Sequence, residues 1–161
     1  MGELSIHRDI NQPAKRVWEI LADFEGVYRF SAGVEASPIN AGTPNTGVGA
    51  ERNCRLYDGN NIQERITQFV DGERLELEVF ETSMPLTHAA AQFVVTPRGS
   101  GCTVAVDMQY TVKWGVVGRI MNALMLQRAM VGSMTRLLAG LDSYATTGQP
   151  IEKGWAPAKA A

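Results

Sequence analysis

Polar and apolar positions alternate over most of the chain up to about residue 113, and the period then changes to that of a helix. In "ELSIHRDI", residues 3 to 10, Leu4, Ile6 and Ile10 share a face with Arg8, which predicts a first strand. Next, Val17, Trp18, Leu21 and Phe24 recur at helical spacing behind Pro13, with Asn11 or Gln12 placed to cap, so a short amphipathic helix follows. Gly26 interrupts it, and "VYRFSAG" adds a turn or two before a break at Gly33. Residues 34 to 40 read as a short strand that Pro38 confines to an edge or a bulge. Strands follow at 49 to 57 and 62 to 70, joined by the "DGNN" turn. "RLELEVFET" alternates strictly, with Leu75, Leu77 and Val79 inward and Glu76 and Glu78 outward. A last hairpin spans residues 86 to 97 and 102 to 113 across "RGSG", with Val104, Val106, Met108, Tyr110 and Val112 on one face.

From Val116 to about Thr146 a stripe runs through Val117, Ile120, Leu124, Val131, Met134, Leu138 and Leu141, which predicts the longest helix of the chain. The order is therefore strand, short helices, about six antiparallel strands and one long C-terminal helix. A curved sheet of about seven strands buries its inner face by wrapping around something, and only the long helix is large enough to fill it. The expected class is α+β with a helix-grip arrangement over residues 1 to 147. Residues 148 to 161, "GQPIEKGWAPAKAA", carry two prolines and two glycines without periodicity and read as a tail, with Trp155 as an anchor point.

Composition narrows the partners. With 45% hydrophobic residues, 20% charged residues and a net charge of −2, nothing calls for nucleic acid or an anionic membrane surface. The N-terminal "MGELSIHRDI" lacks the basic region and apolar run of a secretory signal, and no segment reaches the roughly 20 apolar residues of a membrane span. A cytoplasmic location without stable membrane insertion is the expectation. Cys54 and Cys102 have no CxxC spacing and read as reduced, buried thiols. His7 and His88 lack ligand partners nearby, so neither a metal nor a cofactor is implied. "AGTPNTGVG" has no Lys-Ser/Thr ending and is a connector, not a phosphate loop.

The candidate chemistry centres on a carboxylate. In "NIQERITQF" Glu64 stands between Ile62 and Ile66 on the row that faces the core. If "DGNN" sets Tyr57 opposite Ile62, Arg55 falls opposite Glu64 as its cationic partner, with Arg52 as the rival. Glu64 is then a salt bridge at the sheet rim, a polar group that orients a ligand in a wet cavity, or a general acid or base. Inward-facing Phe93 and Val95 imply that Thr87, Ala89 and Ala91 also face inward, with His88 outward, a histidine that a bulge after Pro85 would turn toward the cavity. The alanines leave volume for either a pocket or close helix packing. Tyr110 brings a hydroxyl to the last strand, next but one to Met108. On the helix Met121, Met125, Met130 and Met134, with Leu124, form either core or an adaptable binding surface. Gly132 and Gly140 inside the same helix mark close backbone approach or room for a ligand.

"INQPAKRVWEILADFEGVYRF", "GVGAERNCRLYDGNNIQERITQFVDGERLELEVFE" and "MPLTHAAAQFVVTPRGSGCTVAVDMQYTV" together resemble the START-like (SRPBCC) superfamily, and within it the small polyketide cyclase/dehydrase-like proteins. That resemblance spans roughly residues 3 to 146 and implies a container for a hydrophobic ligand such as a lipid, isoprenoid, quinone or aromatic polyketide-like compound. It implies as the alternative a cyclase, dehydratase or aromatase, with Glu64, Arg55, Tyr110 and His88 supplying acid and base. A third reading is a protein-interaction module, such as a homodimer through the outer sheet face or the Trp155 tail.

Overall fold

The computed structural model describes residues 1–113 and 119–158. Strand β1 (Gly2–Ile10) leads into helix α1 (Ala14–Ala22) and a short 3-10 helix (Phe24–Arg29). Then come β2 (Val34–Ala36), β3 (Glu51–Leu56), β4 (Asn61–Val70), β5 (Arg74–Thr82), β6 (Leu86–Arg98) and β7 (Gly101–Val112), and finally the long helix α2 (Arg119–Thr147). The strands form one antiparallel sheet in the order β1-β7-β6-β5-β4-β3-β2, which wraps α2 as the helix-grip expectation requires. No described helix is long and apolar enough to cross a membrane.

Strict alternation becomes a strict inner face. Leu75 and Leu77 of β5, Ala89, Ala91, Phe93 and Val95 of β6, and Val104, Val106, Met108 and Tyr110 of β7 are all buried. Leu138 and Leu141 of α2 join them with Val17, Trp18 and Leu21 of α1 in one core, each side chain of this size contributing about 1.5–3 kcal/mol by its burial. Arg8 on the inner row of β1 reaches Asp142 of α2, Nε donating to Oδ2 at 2.8 Å, so the one charge among Leu4, Ile6 and Ile10 ties helix to sheet. The outer face carries a polar ladder in which Arg65 bridges Glu51 at 2.7 Å and Glu78 at 3.4 Å.

Three of the irregularities in the sheet bear most on which residues look inward. At the β3–β4 turn Gly59 takes φ +90° and its N–H bonds the Leu56 carbonyl, while the Leu56 N–H bonds the Asn60 carbonyl. This is a three-residue loop with a glycine bulge, and it leaves Arg52 opposite Glu64 and Arg55 opposite Asn61. The expected pairing of Arg55 with Glu64 is thus corrected by three positions, an odd shift that exchanges the two faces of β3. Between β4 and β5 the register slips around Phe80, which stands 39% exposed beneath the Arg65 guanidinium. Between Leu86 and His88 it slips again, so Thr87 is the bulged residue.

The segment after Thr147 is tied down. The Ile151 N–H donates to the Arg29 carbonyl at 2.9 Å, and Trp155 is half-buried. A Cβ on Gly140 would stand 2.1 Å from the Phe30 carbonyl oxygen and 2.9 Å from Ile151 Cδ1, so α2 meets the Phe30 segment backbone to backbone. Among the described residues nothing beyond its chain neighbours and its own helix backbone lies within 4 Å of the corresponding point on Gly132. Of the two glycines in the helix, close approach therefore accounts for Gly140 alone.

Candidate functional site

Inward rows of β4–β7 and the second half of α2 do not meet everywhere, because small residues stand where large ones would close the gap. Ala89, Ala91 and the thin side of Met108 border a cavity of about 260 Å³, roofed by Met130, Met134 and Leu137 of α2. Phe24, Val27 and Phe30 close its side, while Ser133 and Arg136, both exposed, mark its opening. Its size is just below the ~300–1,000 Å³ of typical small-molecule sites, and its walls are mostly apolar.

One polar cluster interrupts those walls. Arg52, Cys54 and Glu64 all line the cavity, brought to one face by the β3–β4 register. Arg52 Nε donates to Glu64 Oε2 at 2.6 Å, and its Nη1 donates to the Phe24 carbonyl at 2.7 Å. The guanidinium carbon lies 4.0 Å from the centre of the Phe24 ring, a cation over an aromatic face. Burial is the largest influence on Arg52 and opposes its charge, but the adjacent Glu64 carboxylate and Cys54 together more than offset it and hold the guanidinium above its ordinary pKa. The Cys54 thiol donates to the same Oε2 at 3.5 Å; burial first, and then the Glu64 charge, push its pKa well up, so it stays a protonated, unreactive donor.

Both hydrogen bonds to Glu64 fall on Oε2, and those from Arg52 use Nε and Nη1. A guanidinium has five N–H donors and a carboxylate about four acceptor positions, so these bonds do not exhaust either group. Neither side chain is among the sealed polar groups without a partner, which among the described residues are Asn53 Oδ1 and Arg74 Nε. The cavity wall thus presents a carboxylate acceptor beside a guanidinium donor, held in place by a pair that is nearly out of water.

The other expected residues are distributed unevenly. Arg52, Glu64 and Met108 stand in the wall. Arg55 is exposed on the opposite face of β3, a consequence of the glycine bulge. Thr87, expected inward, is exposed because the bulge hands its inward place to Leu86, and His88 is exposed as alternation predicts. Tyr110 is buried outside the cavity lining; its ring covers Gly2, where a Cβ would come within 2.3 Å of it, and burial raises its pKa. Leu124 and Met125 are 59% and 73% exposed on the first turns of α2, away from the cavity. The side chain of Met121 lies outside the described residues. Cys54 and Phe24 were not expected at the site; the signal for Cys54 was its spacing of two from Arg52 on one strand.

A family profile described as polyketide cyclase/dehydrase and lipid transport matches residues 1–146. Among solved structures, a protein of Thermus thermophilus superposes with a TM-score of 0.76 at 20% identity, covering 91% of this chain and 99% of that one. A START superfamily protein from Mycobacterium smegmatis gives 0.75 at 13% identity, with 91% and 99% covered. A protein of Thermobifida fusca gives 0.73 at 23% identity, with 95% and 99% covered. At these identities the likeness is one of fold. No curated protein matches the chain.

Proposed function

We propose, from the premise that the chain belongs to the polyketide cyclase/dehydrase and lipid transport family of the START-like superfamily, that it binds one small hydrophobic molecule between sheet and helix. The ligand class is a lipid, isoprenoid, quinone or aromatic polyketide-like compound, its carbon skeleton against Leu77, Ala91, Phe93 and Met108 and its polar group toward Arg52 and Glu64. One observation carries this reading: an apolar cavity with a nearly buried ion pair in its wall. A core designed only for stability gains nothing from such a pair, since apolar residues of the same volume are as stable or more so.

Native mass spectrometry of freshly purified protein against its denatured mass tests the proposal. An excess mass of one ligand per chain, lost on denaturation and absent from Ala91→Leu, is the expected result; identical occupancy in both proteins excludes this cavity as the container. A second reading, a cyclase or dehydratase, rests on Glu64, the one carboxylate among the described residues that line the cavity. In that case the carboxylate would take a proton from the ligand, and Glu64→Gln would abolish turnover.

A further inference from the structure

The same pair dictates which polar group the ligand carries, an inference that rests on the binding reading above. Four lining residues bear on it: Arg52, Cys54, Glu64 and Arg136. Arg136 is exposed at the opening, where water screens it, and the Cys54 thiol is protonated. The interior charge is therefore that of Arg52 and Glu64 together, which is zero. Glu64 already neutralises Arg52 at 2.6 Å, so a ligand carboxylate brought to the wall loses its water, meets a spent cation and faces Glu64 at close range. An ammonium meets the same obstacle with the signs reversed.

A hydroxyl meets neither. It donates to the Glu64 carboxylate and accepts from an Arg52 N–H, two lining groups whose capacity the bonds to each other, to Phe24 and from Cys54 do not exhaust. A ketone or ether accepts from Arg52 but offers the carboxylate no donor. We infer that the cavity is specific for neutral hydroxyl-bearing hydrophobes, alcohols or phenols, over acids and amines of the same skeleton.

The test is calorimetric titration of the ligand-stripped protein at pH 7 with 1-octanol, octanoate and octylammonium, three probes of one chain length. The expected result is octanol tightest by at least about ten-fold, the discrimination of one hydrogen bond to a charged group. In Glu64→Gln, which keeps an acceptor beside Arg52 but removes the opposing charge, octanoate should overtake octanol. Equal affinities, or octanoate tightest in the unaltered protein, overturn the head-group inference and leave the container standing. If none of the three binds, and none shifts the melting temperature, the container itself falls. The ranking in the unaltered protein needs no variant, so it decides the matter even where Glu64→Gln folds poorly.

Discussion

Removing Arg52 alone should damage the protein more than removing Arg52 and Glu64 together. The Arg52 side chain is 9% exposed and that of Glu64 15%, so Arg52→Met leaves a carboxylate with little water to compensate it. Breaking a buried pair on one side costs about 3–5 kcal/mol, and the residual exposure of Glu64 argues for the lower end, about 3 kcal/mol. That total includes about 1–2 kcal/mol for the Phe24 carbonyl, which loses the Arg52 N–H as donor. Glu64→Leu strands the cation instead and should cost about 3 kcal/mol as well. In the double variant no charge remains, the cavity wall is apolar, and only the Phe24 carbonyl is unsatisfied, so the loss should be about 1–2 kcal/mol rather than the roughly 6 kcal/mol of an additive pair. In thermal unfolding, at about 2–4 °C per kcal/mol for a chain of this size, Arg52→Met should melt about 6–12 °C lower and the double variant only about 2–8 °C lower. A double variant as unstable as the sum of its parts would refute the charge-balance reasoning, and with it the basis for the hydroxyl preference.

Three further outcomes follow from the geometry. Gly132→Ala, facing open space in a helix, should stabilise by about 0.5–1 kcal/mol, whereas Gly140→Ala should destabilise by more than about 2 kcal/mol because the Phe30 carbonyl occupies its place; urea unfolding of both variants checks the contrast. Ala91→Leu should fill the cavity, abolish ligand uptake and leave the melting temperature equal or higher, as read by native mass spectrometry and calorimetry. Cys54 and Cys102 are buried, and burial raises both thiols, so alkylation at pH 8 should be slow until the chain unfolds; labelling of the native protein within minutes would contradict the packing. The same raised pKa values, with that of Tyr110, fix the sign of the alkaline response. The contribution of these groups is full below their ordinary values of 9.0 and 10.0 and declines as pH rises through the higher native ones, so stability should fall steadily above about pH 9.

The fold was legible where one rule acts alone. In β5 the alternation of Leu75 and Leu77 with Glu76 and Glu78 has a single solution, and the buried row of β7 follows from the same period. The candidate site was legible only as far as Glu64. Which cation faces it depends on where a turn closes, and "YDGNN" offers several closures that differ by single residues. The left-handed Gly59 selects one of them, moves Arg55 outward and brings Arg52 and Cys54 inward. Thr87 was misplaced for the same reason, since a bulge changes face without changing the hydrophobic pattern on either side. On α2, periodicity identified the apolar stripe but not the point at which the helix gains cover. Leu124 and Met125 lie before that point and Met130 after it.

Strand β1 pairs with β7 alone, Gly2 opposite Tyr110 and Ile10 opposite Cys102, so the sheet joins its first strand to its last. During synthesis β1 emerges about 100 residues ahead of its only partner, a wait of roughly 5–20 s at ordinary elongation rates. Throughout that interval its hydrogen-bonding edge is without its native partner, while the hairpins from β3 to β6 form from local contacts. Pairing of β1 is therefore the contact of the sheet that spans the greatest sequence separation, and it closes only after β7 is available.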